Sequence, residues 1–257
     1  MALLEGKKFL ITGVLTADSL AFGVAQFAQR EGAEIILSGF GRALRLTERT
    51  ARRLDDPVEV IELDVTDTEH VERAREHLRD KWGTVDGALH AIGFAPEKCL
   101  GEEFFAPDWN DVSVAMHVSA YSLRSVADIV SPLMTSGGSI VGLTFDAAVA
   151  WPLYNWMGVA KGALESLNRY LARELGPQNI RVNLVAAGPM RTMAAKSIPG
   201  GAFDVLDDAW AERAPLGWDV TNSEGVARSC VALLSDWLPQ TTGSIIHVDG
   251  GYHSIGA

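Results

Sequence analysis

The chain has 257 residues, 47% of them hydrophobic, enough for one large core. A net charge of −11 argues against nucleic acid as a partner, and no apolar run reaches membrane-spanning length. Its two cysteines, Cys99 and Cys230, stand in no metal or redox spacing, which fits free thiols in a reducing cytoplasm and gives no metal site.

Met1 to Lys8 runs straight into a strand, with neither the apolar core of a signal peptide nor a transit-peptide composition, so a cytoplasmic location is expected. Lys7–Gly13 reads as the first strand. A turn and an amphipathic helix through Arg30 follow, with Asp18 or Ser19 as its cap. Strand, glycine turn and helix N-terminus together make a phosphate cradle, because the first-turn N–H groups and the helix dipole point at an anion. The turn is longer than in Gly-x-Gly-x-x-Gly, and an ordinary strand-to-helix connection explains it equally well.

Glu34–Phe40 is the second strand. A dinucleotide fold meets the adenosine ribose at this strand's end, using an acid for a free 2′-hydroxyl or a cation for a 2′-phosphate. Phe40 offers adenine a flat apolar surface and Arg42 follows it, so NADH is favoured and NADPH comes second. Arginines 42, 45, 49, 52 and 53 make a solvated helix face. Val58–Val65 is the third strand; Asp64 at its end either caps the next helix, near Thr66-Asp67, or accepts from the adenine amino group while Val65 packs on the ring. The fourth strand, Gly87–Gly93, ends in a glycine where the backbone must approach a ligand closely. A long loop from Cys99 to Asp108 leads to a helix from Trp109 to about Met134. His117 inside it is expected to be packed or at an interface.

Gly138–Leu143 is a buried fifth strand. Beyond it, Pro152 sits where a helix can begin, and the apolar-periodic run from Leu153 to Leu175 supplies that helix. Tyr154 and Lys161 are seven positions apart on it. At about 100° per residue, seven steps return to nearly the same face. A phenol and an ammonium therefore share one face at the carboxyl edge of the sheet, where open α/β folds keep their ligands. Such a pair alone is more often a solvated helix face. Asn179–Val185 is the sixth strand, Gly188-Pro189 turns the chain over the sheet edge, and Ser244–Val248 is the seventh. The amphipathic segment around 193–213 reads as a lid or as a packed surface helix. Alternating strands and helices, without linker or repeat, predict one α/β domain over 1–257. Its architecture is a doubly wound parallel sheet of about seven strands with helices on both faces.

Several stretches spread nearly end to end carry a resemblance: Ile11-Thr12-Gly13, Ser38-Gly39-Phe40, Leu63-Asp64-Val65, His90-Ala91-Ile92-Gly93-Phe94, Tyr154-Asn155-Trp156-Met157, Asn183 to Pro189, Ala214 to Trp218 and Leu233 to Leu238. Through them the chain resembles the short-chain dehydrogenase/reductase superfamily with its Rossmann-type fold. Within that superfamily it is similar to the NADH-dependent enoyl-[acyl-carrier-protein] reductases, particularly the actinobacterial, mycolic-acid type. Ordinary members place the lysine four positions after the tyrosine, here Gly158, and a serine upstream. This chain has Lys161 and, by the family pattern, Phe145 near the upstream place. That combination is specific to enoyl reductases.

The resemblance implies hydride transfer from NADH to the β-carbon of a trans-2-enoyl thioester, carried on acyl carrier protein or coenzyme A. Tyr154, Lys161 and Phe145 would be the catalytic residues. Tyr154 would donate to the thioester carbonyl as charge develops, Lys161 would hold the nicotinamide ribose, and Phe145 would pack beside nicotinamide and substrate. By family position, Gly13, Ser19 and Leu20 would meet the pyrophosphate, Phe40 the adenosine, and Asp64 with Val65 the adenine. Ile92 and Gly93 would line the adenosine side, and Met190 and Thr192 would reach the nicotinamide amide and pyrophosphate. Met157, Met193 and Ile198 would border the acyl chain. A homotetramer is implied too, with Lys98, Arg191 and Lys196 as candidates for meeting an acidic carrier protein.

Two departures from the family stand out. Ala91 replaces a frequent serine, implying slightly weaker NADH binding, and the segment from Met193 to Trp210 is shorter than in relatives that handle very long chains, implying medium to long acyl groups. The competing readings are a carbonyl (3-ketoacyl or polyketide) reductase, which Lys161 in place of a lysine at 158 opposes, and a non-catalytic NAD-binding regulator.

Overall fold

Strand β1 (Lys8–Ile11) lies inside a seven-stranded sheet, paired with β2 (Glu34–Gly39) on one side and β4 (Gly87–His90) on the other. β3 (Glu59–Glu62) adds to β2. Beyond β4 come β5 (Gly138–Thr144), β6 (Ile180–Ala187) and β7 (Ile245–Val248), giving the order 3-2-1-4-5-6-7 with every pair parallel. The structure is a computed structural model that describes residues 2–101, 103–193, 195 and 202–256.

Successive side chains along a strand point to opposite faces. Leu10 therefore enters one apolar layer while Phe9 and Ile11 enter the other. The first layer is completed by α3 (Thr68–Trp82), α5 (Ser122–Val130) and α6 (Asn155–Leu175), through Leu78, Val126 and Leu164. The second is completed by α1 (Leu20–Arg30), the end of α2 (Arg42–Ala51) and α8 (Glu224–Leu234), through Val24, Ala51 and Val231. Helices on both faces explain why β4 and β6 are buried at every position. All seven expected strands are present, and the sheet is the expected Rossmann-type one.

Some helix boundaries differ from expectation. α6 starts at Asn155 rather than Leu153, because Leu153 at φ +62° belongs to the turn that leads into the helix. The helix expected from Trp109 to Met134 is α4 (Trp109–Met116), a π-turn at His117–Tyr121, and α5. His117 lies exposed on that turn, edge-on to Tyr121. Ser19 does sit at the cap position of α1, but its hydroxyl oxygen accepts from the N–H groups of Leu15 and Thr16 and so braces the preceding turn. Asp67, not Asp64, caps α3, accepting from the Glu69 and His70 N–H groups. Arg42, Arg45 and Arg49 form the expected exposed face of α2.

Candidate active site

The carboxyl ends of β1, β4 and β5 are where the expected residues converge. Gly13 follows β1 at φ +85°, and a Cβ there would stand 2.1 Å from the Ala91 carbonyl oxygen. Only glycine lets the two backbones cross this closely. Thr12 ties them further: its hydroxyl donates to the Leu89 carbonyl at 2.9 Å and accepts from the Ala91 N–H at 3.2 Å. Ala91 itself presses its methyl towards Gly13, so the residue in the serine-rich family position packs against the turn.

Around the adenosine end, Phe40 is 48% exposed and meets His70 edge-on at 5.8 Å, leaving a ring surface free to stack. Asp64 accepts from both the N–H and the hydroxyl of Thr66 through Oδ1, which fixes its carboxylate at the sheet edge. Val65 is largely spent in the core, 6% exposed. Ile92 packs on the same core layer, while Gly93 is open: a Cβ added there would lie 3.9 Å from the Lys161 ammonium and 3.9 Å from the Ser119 hydroxyl.

Lys161 is buried on α6, and its ammonium donates to the Leu143 carbonyl at 3.1 Å. Burial pushes it down to about 8, against the partial support of the Glu165 carboxylate. Glu165 is raised in turn by burial and accepts from Thr144 and the Ala147 N–H. Under Lys161, His90 is wholly buried with Nε2 2.7 Å from the Ser122 hydroxyl. Burial, then the neighbouring ammonium, hold it down to about 3, so it stays neutral.

Tyr154 sits at the N-cap of α6, its ring 5.3 Å from Phe145 in an edge contact and beside Gly158, where an added Cβ would touch it at an ordinary 3.5 Å. Burial raises the phenol, which therefore stays protonated and able to donate. Behind Phe145 stands an aromatic box: Trp151 at 5.0 Å, Trp210 at 5.9 Å, and Tyr252 stacked on Trp210 at 3.7 Å. Trp210 is held by donating to the Asp249 carbonyl. Tyr154 and Lys161 both meet the end of β5, one through Phe145 and the other through Leu143.

The remaining residues fall as follows. Leu20 and Thr192 are half-buried; Thr192 donates its N–H to the Met190 carbonyl, and Met190 is buried. Met157 is half-buried in the first turn of α6, and Met193 is 46% exposed at the start of the expected lid. Ile198 and Lys196 lie outside the described residues; the helix α7 (Ala202–Arg213) spans the later part of the segment expected to be a lid or a packed surface helix. Lys98 pairs with Asp111 and Arg191 with Asp207, so each carries an acidic partner. Sequence reasoning missed Trp151, Trp210, Ser119, Glu165 and the neutral His90. Of these only Trp151 stands near Tyr154 in the chain; the others are brought to the site by the fold.

A parallel sheet of this order with a glycine-bounded cradle, a half-buried tyrosine and a buried lysine defines a nicotinamide-dependent reductase of the short-chain type. Residues 13–253 match the family model described as enoyl-(acyl carrier protein) reductase, and the chain belongs to that family. It is similar to the NADH enoyl-[acyl-carrier-protein] reductase of Mycolicibacterium smegmatis, 48% identical over 261 residues covering 97% of each chain. The counterpart from Mycobacterium avium is 45% identical over 260 residues, again covering 97% of each. An NADPH enoyl-[acyl-carrier-protein] reductase from Staphylococcus aureus is 38% identical, covering 98% of each chain. Among the described residues no helix is long and apolar enough to cross a membrane.

Proposed function

We propose that the chain reduces trans-2-enoyl thioesters, with Tyr154, Lys161 and Phe145 as its catalytic residues. The observation that carries the reading is the buried Lys161 ammonium seven residues after Tyr154, on the Leu143 carbonyl, with the Phe145 ring against Tyr154. The family supplies the reaction class and NADH as the preferred cofactor.

The residues present fit the dinucleotide. Gly13 allows the close backbone approach that a pyrophosphate needs, and the open space above Gly93 leads to the Lys161 ammonium. Ser19 and Leu20 at the start of α1, Phe40, Asp64 with Val65, Ile92, Met190 and Thr192 would complete its site. When bound, NADH supplies the hydride for the β-carbon. Tyr154 keeps its proton and donates to the thioester oxygen as negative charge builds there, a stabilisation greater in the transition state than in the ground state. Lys161, when charged, would hold ribose hydroxyls and favour that same charge. Phe145, braced by the aromatic box, would exclude water and orient the acyl group. Met157, Met193 and the lid around 193–213 would border the chain, of medium to long length, in a single domain spanning 1–257. An acyl carrier protein thioester is the proposed substrate form, with coenzyme A as its alternative, and a cytoplasmic homotetramer is the proposed state.

The test is loss of the reduced-nicotinamide absorbance with NADH and a medium-chain trans-2-enoyl thioester, with a 3-ketoacyl thioester as control. Wild type turns over the enoyl substrate, and Tyr154→Phe loses roughly a hundredfold in kcat, about 3 kcal/mol. Turnover of the ketone alone would move the chain to the carbonyl reductases.

A further inference from the structure

We propose that Asn155 is a positioning residue for Tyr154, acting through a clamp to the loop after β4; the proposal rests on the enoyl-reductase reading above. Tyr154 stands between two left-handed residues, Leu153 at φ +62° and Asn155 at φ +39°. Asparagine adopts this backbone readily, whereas leucine resists it. A leucine stays there only where its surroundings over-determine the turn.

Gly101 supplies that constraint. Its N–H donates to the Leu153 carbonyl at 2.9 Å, and its own carbonyl accepts from the Asn155 side-chain amide. Three residues further along the loop, the Phe104 carbonyl accepts from the Trp156 indole at 3.0 Å, and the two rings stack with centroids 5.0 Å apart. Residues 153, 155 and 156 are thus fastened to one short loop. Tyr154 is the residue they flank. Its own ring lies on Phe145, so the clamp grips the backbone on either side and leaves the phenol to the substrate.

Asparagine combines the two properties the position uses: tolerance of positive φ and an N–H donor for the Gly101 carbonyl. Aspartate keeps the first and loses the second; glycine does the same with no side chain at all. Because Gly101 follows β4 and Tyr154 follows β5, the clamp registers the tyrosine against the loop nearest the cofactor-facing end of β4.

The experiment uses Asn155→Asp and Asn155→Gly, each alone and combined with Tyr154→Phe, with thermal unfolding recorded for all. In the single variants kcat on the enoyl thioester falls about thirtyfold, from misplacement of the phenol, while KM for NADH stays within about twofold. Added to Tyr154→Phe, neither change lowers kcat further, because the group being positioned is already gone. Equal losses in both backgrounds would overturn the proposal and make Asn155 a purely structural residue; so would single variants with unchanged kcat. Should Asn155→Asp fail to fold, Asn155→Gly, which introduces no charge, carries the same comparison. Absence of enoyl turnover in wild type would instead overturn the reaction itself, and this proposal with it, an outcome distinct from an active wild type with indifferent variants.

Discussion

The adenosine half and the nicotinamide half of the site are built by different means. At the ends of β1 to β4 the shape is made by backbone. Gly13 crosses Ala91, Thr12 bridges β1 to β4, and Thr47 and Thr50 of α2 donate to the Val14 and Leu15 carbonyls at 2.6 and 2.8 Å. At the end of β5 the shape is made by side chains: Phe145, Trp151, Trp210 and Tyr252 lean on one another, and the tyrosine turn is pinned from a neighbouring loop. A backbone-built site tolerates side-chain truncation but not one added Cβ. A side-chain-built site behaves the other way round.

The hardest test of that contrast is Gly13→Ala. The new methyl meets the Ala91 carbonyl oxygen in a left-handed backbone, and the expected cost is ~3 kcal/mol of stability or more, with NADH affinity down at least a hundredfold. Calorimetry with an NADH titration reads both; wild-type affinity would break the comparison.

Lys161→Met comes next and separates stability from function. The folded-state value near 8 lies below the ordinary 10.5, so between them the unfolded chain binds more protons and stability rises with pH. Below about 8 the cost of the buried ammonium is fully present, about 3 kcal/mol. Removing the charge raises the melting midpoint by several degrees at pH 7, and the gain shrinks above pH 8, while turnover with NADH collapses. In wild type kcat/KM for NADH falls above pH about 8 as the ammonium loses its proton. A midpoint gain independent of pH would exclude Lys161 as its source.

Smaller effects sharpen the picture. Trp151→Ala loosens the box behind Phe145 and lowers kcat about tenfold, leaving NADH affinity within about twofold in a titration. Phe40→Ala is the mildest: with 48% of the residue already exposed, stability hardly moves and the NADH dissociation constant rises only several-fold.

The sheet was legible in the sequence because strands covered on both faces read as apolar runs, whereas Lys161 stood out only once the spacing from Tyr154 was joined to the family resemblance. The start of α6 was not. Pro152 and the periodic run announce a helix, but no glycine marks Leu153 as left-handed; its conformation comes from Gly101, over fifty residues upstream. The π-turn at His117–Tyr121 was equally silent, since the apolar spacing shifts by one residue within a continuous pattern. That turn carries Ser119, bonded to Phe94, and the helix after it begins with Ser122, bonded to His90; neither contact has a local signature. Between Asp18 and Ser19, the two cap candidates the sequence offers, Ser19 holds the position, but its hydroxyl turns back to the Leu15 and Thr16 N–H groups, a long-turn contact with no local sequence signature.

The strand order has a consequence for how the molecule comes into being. Outward from β1 on one side, the strands run 1, 4, 5, 6, 7, the order in which a ribosome delivers them. Once β1 to β4 have paired, each later strand can dock on an edge that is already formed, and no earlier pair has to open to admit it. The turn between β1 and α1 and its crossing with β4 are therefore assembled early, whereas the box around Phe145 waits for Trp210 and Tyr252, which follow much later in the chain. Chain order and site geometry coincide: the half made of backbone is delivered before the half made of side chains.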